Sequence, residues 1–396
     1  LKTPEEIEEL FSKWHDWGVV GVKTDYFESD DIDVLEVMRN CAEIGAKYEL
    51  MIYYHGCINP CGETRTYPNI MSSEAVLGEE FRKWSTSPTP KNCLMYPFTR
   101  NVTGTMDYTP SCIAISKTGE SAGFSLAKAI VYESALQHFA SSAYSFPYYL
   151  GLPLLSRMPT AWTQSSLIDG YPGEHAVFMR SDGEDYYIGA MSLSERSYDI
   201  SLDFLPDGEY TAYIYSDDES RDLVLTTSKV TNKDSLSLEL LEIGGAAVLI
   251  TKGELDTSVE EPLNARKEGY TYYEMEDGKL SGSAVVSYSM MCSGEQKVGY
   301  VGNGGFNSVT ASVTVDEAGE YELIVYFCSG ESRSLDITVN SKDKYSMTGL
   351  ISQGFDMPDS ESITVSLDKG ENTVKFSLDS GYAPDLDMLA VSDKPV

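Results

Sequence analysis

The stretch GVVGVKTDYFESDD, residues 18–31, decides the fold class of the first half of the chain. It begins as an apolar run with the composition of a buried strand and ends in a lysine, a threonine and Asp25, before acidic turn residues. Helical patterns flank it at 3–16 and 32–46, and a second apolar run follows at 48–54. Alternation of helices with uniformly apolar strands predicts a parallel sheet that is buried on both faces.

The pattern changes twice along the chain. Further helical patterns at 74–84 and 123–140 continue the first alternation. From about residue 175, short strands separated by Gly, Asp and Ser turns predict an antiparallel β-sandwich, and a second all-strand region follows a polar, aperiodic segment. The predicted domains are 1–165, 166–252, a linker at 253–268, and 269–396.

Composition excludes several classes of partner. The chain has 29 basic and 62 acidic residues, a formal charge of −33, which repels nucleic acid and anionic lipid. Because no apolar run approaches the roughly 20 residues of a spanning helix, we expect no membrane insertion. The seven cysteines lack the CxxC spacing of a zinc site, so we infer no metal from them. Cys57 and Cys61 either pair across a loop or stay as thiols.

Two neighbouring strand ends carry polar groups. In a parallel α/β barrel the catalytic residues lie at the C-terminal ends of the strands, where Asp25 is placed. Lys23 projects to the same side, so we expect its ammonium group to keep Asp25 ionised, as a nucleophile requires. The alternative is an aspartate that only caps the loop. His55 ends the next strand and is either a ligand for substrate hydroxyls or a structural group.

Glu74 and Glu80 are the next candidate pair. Six positions apart on a regular helix, they point about 240° away from each other, which favours a solvated acidic face. Both reach a single cation only if the helix begins after Glu74, with Gly78 loosening the turn.

Several motifs, taken together, resemble glycoside hydrolase family 97, the calcium-dependent α-glucosidase and α-galactosidase family. The resemblance runs from about residue 5 to 252 and implies the C-terminal half of a (β/α)8 barrel followed by a β-sandwich. The motifs are VKTDYF (22–27), the His-Gly strand end (55–56), RTYPN (65–69), EAVLGEEFRKW (74–84), PFTRNVTGTMDYTP (97–110) and MPTAWTQSSLIDGYPGEHAVFMR (158–180).

Asp25 together with Gly56 is typical of the retaining branch of the family, because the inverting α-glucosidases lack the aspartate and carry a glutamate at the Gly56 position. The resemblance then implies that Asp25 is the nucleophile and Glu80 the acid/base. It also implies that Glu74 and Glu80 hold Ca²⁺ and that Lys23 and His55 contact sugar hydroxyls. A retaining mechanism requires the two catalytic carboxyl groups to lie roughly 5 to 5.5 Å apart.

The last region resembles the carbohydrate-binding modules of families 35 and 6 over residues 270–393, and we expect a jelly-roll β-sandwich. YTYYEMEDGKLSG (270–282) and APDLDMLAV (383–391) place alternating carboxylates at its first and last strands, which form either a calcium cage or a solvent face. The resemblance implies structural Ca²⁺ at Glu274, Glu276 and Asp387. It makes Tyr382 a candidate stacking residue and Asn303 a candidate hydroxyl ligand. Asp379 stands where many relatives carry asparagine.

The resulting hypothesis is a multidomain α/β and all-β protein: a retaining, calcium-dependent exo-α-galactosidase with an appended carbohydrate-binding module. Its expected partner is an oligo- or polysaccharide with α-galactosyl ends. Because the chain begins at Leu1 and not at Met, we also expect a missing N-terminal part of the same protein, which would carry the signal for extracellular or periplasmic secretion. The alternatives are an α-glucosidase of the same family, or an inactive fragment that only binds carbohydrate.

Overall fold

A computed structural model of the chain describes residues 3–83, 87–110, 119–141, 143–261, 264–289 and 291–396. Its contacts form two compact units. The first comprises the described residues of 1–142 and 149–258, and the second those of 143–148 and 259–396. Cys112 lies outside the described residues. The predicted boundary between residues 165 and 166 falls within the first unit and stays a prediction.

The first unit opens with alternating helices and short parallel strands. Strands β1, β2 and β3 pair in that order. The elements are α1 (Pro4–Asp16), β1 (Gly21–Thr24), α2 (Ile32–Lys47), β2 (Met51–Tyr54) and β3 (Ile70–Ser73).

Local sequence explains where these elements begin. A capping box starts α1: Thr3 Oγ1 accepts the Glu6 amide at 3.3 Å, and the Glu6 carboxylate accepts the Thr3 amide at 3.2 Å. The second strand starts at Met51, later than its apolar run suggests, because α2 continues to Lys47 and a left-handed Glu49 follows. The prediction of a sheet buried on both faces is wrong for β1, which forms the edge of the described sheet and is only partly covered.

Two predicted helices are much shorter than their patterns. Among its described residues, 74–83, the segment predicted at 74–84 has a 3₁₀ helix only at Glu79–Lys83, because Ala75 adopts a left-handed conformation (φ 44°). The helix predicted at 123–140 ends at Val131. Beyond it the backbone bonds to another segment: the Glu133 carbonyl accepts a hydrogen bond from the Met106 amide at 2.9 Å.

The remaining helices of the chain are short. The α-helices are α3 (Pro90–Met95), α4 (Ala122–Val131) and α5 (Leu152–Arg157), and the further 3₁₀ helices are Glu63–Arg65, Tyr96–Phe98, Arg100–Thr103, Ala143–Tyr148, Met275–Asp277 and Ser293–Glu295. No helix in the described ranges is long and apolar enough to cross a membrane.

An antiparallel sandwich completes the first unit. One sheet has the order β4-β5-β6-β11-β8-β9, and β10 pairs with β7 in the other. Helix α4 packs closely on the larger sheet, where a Cβ on Gly123 would lie 2.1 Å from the Gly245 carbonyl. The strands are β4 (Gln164–Tyr171), β5 (His175–Ser181), β6 (Tyr186–Ser192), β7 (Arg196–Ser201), β8 (Tyr210–Asp217), β9 (Leu223–Val230), β10 (Ser235–Leu240) and β11 (Gly244–Thr251).

The second unit is a two-sheet sandwich with an apolar core. One sheet has the order β14-β15-β22-β17-β20, with β12 also on β22, and the other has the order β13-β16-β21-β18-β19. The strands are β12 (Tyr270–Glu274), β13 (Lys279–Ser281), β14 (Val285–Tyr288), β15 (Gln296–Gly299), β16 (Ser308–Val315), β17 (Gly319–Cys328), β18 (Arg333–Val339), β19 (Asp343–Leu350), β20 (Asp359–Leu367), β21 (Gly370–Ser377) and β22 (Asp385–Ser392). The first and last strands therefore pair.

Candidate functional site

Strand ends of the parallel sheet meet at Asp107, a buried residue that the sequence analysis did not identify. Its Oδ2 atom lies 2.7 Å from Lys23 Nζ and 2.7 Å from His55 Nδ1, and its Oδ1 lies 3.7 Å from His138 Nδ1. A parallel bridge between Ser73 and Met106 sets Asp107 beside the end of β3. One signal was available: TMDYT (105–109) repeats the pattern of KTDYF (23–27), with an aspartate after a short β-forming run.

Lys23 therefore does not lie where the sequence placed it. Within the part of the chain that the structure describes, its ammonium group pairs with Asp107, not with Asp25. The buried carboxylate attracts the lysine more strongly than an exposed one, because less water screens the charges. Burial raises the pKa of Asp107, but interactions with His138, His55 and Lys23 outweigh it and hold that pKa well below its usual range. Asp107 is therefore an anion that holds two cationic side chains.

His55 joins Asp107 to the two glutamates. Its Nε2 atom lies 2.9 Å from Glu80 Oε1 and 3.4 Å from Glu74 Oε1. Burial alone would lower the pKa of His55, but the hydrogen bonds with Asp107 and Glu80 raise it to about 9. At neutral pH the imidazole is charged and donates to carboxylates on both sides.

Glu74 and Glu80 face one point because no regular helix joins them. Glu74 directly follows β3, and Glu80 lies in the 3₁₀ helix that starts at Glu79. Gly78 permits this turn, since a Cβ there would lie 2.7 Å from the Tyr108 carbonyl. Burial raises the pKa of Glu74. One ligand atom from each of Glu74, Glu80 and His55 lies within 4.8 Å of the other two, so the arrangement is a candidate cation site.

Asp25 adjoins this group through Gly56. A Cβ on Gly56 would lie 2.7 Å from Asp25 Oδ1, and the Gly56 amide donates to Glu74 Oε2 at 2.7 Å. The Tyr26 amide donates to Asp25 Oδ1 at 2.6 Å, and Tyr26 itself is left-handed (φ 66°). The exposed Asp25 carboxylate thus occupies space that any larger residue at position 56 would fill.

A buried ion cluster supports the turn that carries Glu80. Lys128 Nζ, fully buried on α4, donates to both carboxylate oxygens of Glu79 at 3.1 and 3.0 Å and to Glu120 Oε2 at 2.5 Å. The Glu79 amide donates to the Tyr108 carbonyl at 2.9 Å. Position 79 is therefore fixed from the interior, which fixes the direction of its neighbour Glu80 toward His55.

The second unit collects three carboxylates, those of Glu274, Glu276 and Asp387, where its first and last strands pair. The Ser293 amide donates to Asp387 Oδ1, and the Ser293 hydroxyl donates to Glu274 Oε1, both at 2.7 Å. The prediction that Glu276 lies on a strand is wrong: β12 ends at Glu274, and Glu276 belongs to a 3₁₀ helix. Buried Oε2 atoms of Glu274, Glu276 and Glu295 have no hydrogen-bond partner among the described residues. Glu295 was not identified from sequence.

These orphaned oxygens suit a hard cation, which takes oxygen ligands and removes the repulsion between carboxylates. Asp387 is fully buried in the same cluster. Burial, reinforced by the charges of Glu274 and Glu276, raises the pKa of Asp387 to about 7, although hydrogen bonds from Ser293 and Asn264 lower it. The predicted residues Glu274, Glu276 and Asp387 therefore do come together.

A groove of about 530 Å³ lies elsewhere in this unit and includes Tyr382. Tyr300 meets Tyr382 edge to face, with ring centroids 6.1 Å apart, and both rings are exposed. Arg333 covers the Phe355 ring at 4.7 Å. Asn303 is not among the described residues that line the groove. It occupies an exposed, left-handed turn, where its backbone amide donates to the Gly381 carbonyl at 2.6 Å.

Comparison with known protein families gives three matches. The family model Glycoside hydrolase 97 matches residues 2–76, and the model Glycosyl-hydrolase 97 C-terminal, oligomerisation matches residues 161–251. The model Carbohydrate binding module (family 35) matches residues 271–393.

Curated relatives and solved structures agree with these matches. The chain is 36% identical over 197 residues to a probable retaining alpha-galactosidase of Streptomyces bingchenggensis, covering 48% of this chain and 30% of the relative. It is 30% identical over 269 residues to a retaining alpha-galactosidase of Bacteroides thetaiotaomicron, and the match covers 62% of this chain and 40% of the relative. A glycoside hydrolase family 97 enzyme from Pseudoalteromonas sp. strain K8, solved in complex with acarbose, is similar with a TM-score of 0.56 and 28% identity. The match covers 62% of this chain and 44% of that enzyme.

The chain spans less than half the length of each of these relatives. The first three motifs (22–27, 55–56 and 65–69) lie within residues 2–76 and the last (158–180) overlaps residues 161–251, whereas PFTRNVTGTMDYTP (97–110) lies outside both matches. Residues 2–76 and 161–251 therefore match two models of glycoside hydrolase family 97, and residues 271–393 match a carbohydrate-binding module of family 35.

Proposed function

We propose that this chain is the C-terminal part of a secreted, retaining exo-α-galactosidase and that its strands β1 to β3 belong to an incomplete (β/α)8 barrel. One observation carries the proposal: the Asp25 carboxylate fits beside Gly56, next to the group formed by Glu74, His55 and Glu80. A retaining glycosidase requires one carboxylate for nucleophilic attack and one carboxyl group for proton transfer, and we assign these roles to Asp25 and Glu80.

In the proposed mechanism, Asp25 attacks the anomeric carbon while Glu80 gives its proton to the departing glycosidic oxygen. The galactosyl group is then covalently bound to Asp25. Glu80 next takes a proton from water, and that water displaces Asp25 at the same carbon. Two displacements return the sugar to its original configuration. Lys23, held by Asp107, donates to a sugar hydroxyl, and His55 does so once its Nε2 atom releases the two glutamates.

We propose that Glu74 and Glu80 hold Ca²⁺, which would orient substrate and acid by its positive charge. Their carboxylate oxygens suit this ion. Because His55 bridges the same two carboxylates, cation binding requires the imidazole to give up at least one of those contacts. Other ligands would come from water and from the N-terminal part that we propose to be missing.

The test is hydrolysis of nitrophenyl α-galactoside by the chain, followed by NMR of the first sugar released. We expect α-galactose before mutarotation, faster turnover than with nitrophenyl α-glucoside, and loss of activity on adding a chelator. Release of β-galactose would exclude the retaining mechanism. Preference for the glucoside would identify an α-glucosidase instead.

We also propose that the groove of the second unit binds a saccharide. Exposed Tyr300 and Tyr382 offer ring faces to the apolar side of a sugar, and Arg333 offers donors to its hydroxyls. Sugar binding without turnover, lost in Tyr382→Ala, would support a chain that acts only as a binding protein.

Gly56→Ala is expected to lower turnover by more than its loss of folding stability explains. The substitution puts a methyl group 2.7 Å from Asp25 Oδ1, and the left-handed backbone costs about 1–2 kcal/mol in unfolding free energy. Gly18→Ala is the matched control, because Gly18 is also left-handed (φ 82°) but has open space where its Cβ would lie. Urea unfolding and turnover separate the two effects. Equal activity losses in both variants would contradict this role of Gly56.

Calcium removal is expected to make the second unit pH-sensitive. Asp387 has a folded-state pKa of about 7, above its unfolded value, so the folded state binds more protons between pH 4 and 7. In chelator, its unfolding free energy should therefore fall as pH rises through this range, by roughly 3–4 kcal/mol. Added Ca²⁺ should reverse this loss at pH 7.

Urea unfolding at several pH values measures the effect. Asp387→Asn should remove both the pH dependence and the response to Ca²⁺, whereas the exposed Asp379→Asn should change neither. Stability that rises between pH 4 and 7 in chelator would contradict the assignment of Asp387.

A further inference from the structure

We propose that Cys292 and Cys328 form a disulfide bond that cross-links the second unit under oxidising conditions. Their Sγ atoms lie 3.4 Å apart. Cys328 is fully buried at the end of β17, and Cys292 is 5% exposed just before the 3₁₀ helix Ser293–Glu295. Closing this gap to the roughly 2.05 Å of an S–S bond requires a small movement of the loop that carries Cys292.

The other described cysteines lack such a contact. Cys93 lies against the Tyr108 hydroxyl and the Glu120 carboxylate in the first unit. All six described cysteines are free thiols, and in the pair that the sequence offered, Cys57 and Cys61, the Cys61 thiol donates to the Asn59 carbonyl. Among the described residues, Cys292 and Cys328 are therefore the cysteine pair whose sulfur atoms are in contact.

The position of this pair gives the cross-link a consequence beyond stability. Ser293, the next residue after Cys292, donates to Asp387 and Glu274 in the carboxylate cluster. Cys328 pairs in register with Asp385, whose carboxylate lies 3.0 Å from Lys297 in the wall of the groove. The bond would thus tie the loop that closes the carboxylate cluster to the strand beside the groove.

The oxidation can proceed by exchange with a low-molecular-weight disulfide such as oxidised glutathione. The Cys292 thiolate attacks one glutathione sulfur and displaces the other as a thiolate. The Cys328 thiolate then attacks the Cys292 sulfur and displaces the second glutathione. The two protons lost by the cysteines are taken up by the two glutathione thiolates, so two protein thiols are oxidised and one glutathione disulfide is reduced.

Access controls the rate of this exchange. The hydrogen bond with Cys292 and burial raise the pKa of the Cys328 thiol, so little thiolate is present in the closed structure. Reaction therefore requires transient opening of the loop at Cys292. The same burial protects the finished bond from reductants.

The cross-link should raise the melting temperature of the second unit. It closes a loop between positions 36 apart in sequence, which removes conformational freedom from the unfolded chain. For a unit of this size, we expect an increase of about 5–10 °C.

The experiment uses the full 396-residue chain, equilibrated with either reduced or oxidised glutathione. Free thiols are blocked, the protein is digested without reductant, and the peptides are identified by mass spectrometry. We expect a peptide pair joined through Cys292 and Cys328 in the oxidised sample only, two hydrogens lighter than the separate peptides. Calorimetry of the undigested samples should show the higher melting temperature after oxidation.

Matched variants identify the bond. Cys292→Ser and Cys328→Ser should each abolish the rise in melting temperature on oxidation, whereas Cys61→Ser, at an exposed position, should retain it. If a serine variant does not fold, the peptide map of the unmodified chain still decides the question. Full blocking of both cysteines after denaturing the oxidised protein, or a peptide joining Cys57 to Cys61 instead, would overturn the proposal.

Discussion

Replacing Asp25 with glycine is expected to lower the turnover of nitrophenyl α-galactoside on the order of a thousandfold or more, and added azide should restore part of it. The substitution removes the proposed nucleophile and leaves a space beside Gly56 and the Tyr26 amide. A small anion can enter that space and attack the anomeric carbon from the same face. The product should be the β-galactosyl azide, because only one displacement then occurs.

Asp25→Asn is the matched control for this prediction. Its side chain has nearly the size of the aspartate, so it also removes the nucleophile but leaves no room for azide. It should be inactive with and without the anion. Turnover is measured in the 396-residue chain and in the longer protein that we propose contains it. Undiminished activity of Asp25→Gly would contradict the nucleophile assignment, and release of α-galactosyl azide would contradict attack from that face.

The second large effect concerns stability. Lys128→Met should lower the unfolding free energy of the first unit by about 3–5 kcal/mol, because it leaves Glu79 and Glu120 buried together without the ammonium group between them. Methionine fills most of the volume of the lysine side chain, so the loss reflects charge more than packing. Urea unfolding followed by tryptophan fluorescence measures the change.

Lys47→Met is the control, since Lys47 pairs with Glu8 at the surface and both side chains are largely exposed. Exposed pairs contribute little to stability because water screens their charges, so this variant should remain close to the unmodified chain. Similar losses of unfolding free energy in the two variants would show that burial of the Lys128 cluster contributes nothing to stability. Lys128→Met should also reduce turnover, because Glu79 adjoins Glu80 in the same 3₁₀ helix.

Local sequence predicted the beginning of the fold well. The order of α1, β1, α2 and β2 follows from patterns within a few residues. The prediction of a helix at 74–84 was wrong. A local pattern carries no information about the close approach of Gly78 to the Tyr108 carbonyl, which is a contact between distant segments. That same failure brings Glu74 and Glu80 to one point, which a regular helix would prevent.

The partner of Lys23 was predicted wrongly for a related reason. Alternation along a strand indicates which side a lysine faces, but it does not indicate which carboxylate on that side is most buried. Asp107 is fully buried and binds both Lys23 and His55, although it lies 52 positions after His55. The buried Oε2 atom of Glu295 was missed in the same way, because the turn that carries it has no metal-site spacing in its sequence.

The sequence by itself determined the residue types and their local order: Asp25 with Gly56, the family motifs around them, and the all-strand composition of the C-terminal module. These depend on side-chain chemistry and on periodicity over a few residues. The tertiary structure alone decided that Asp107 holds Lys23 and His55, that Lys128 lies between Glu79 and Glu120, and that Cys292 meets Cys328. Each of these contacts joins groups brought together by burial and strand pairing, and periodicity within one segment carries no information about such partners.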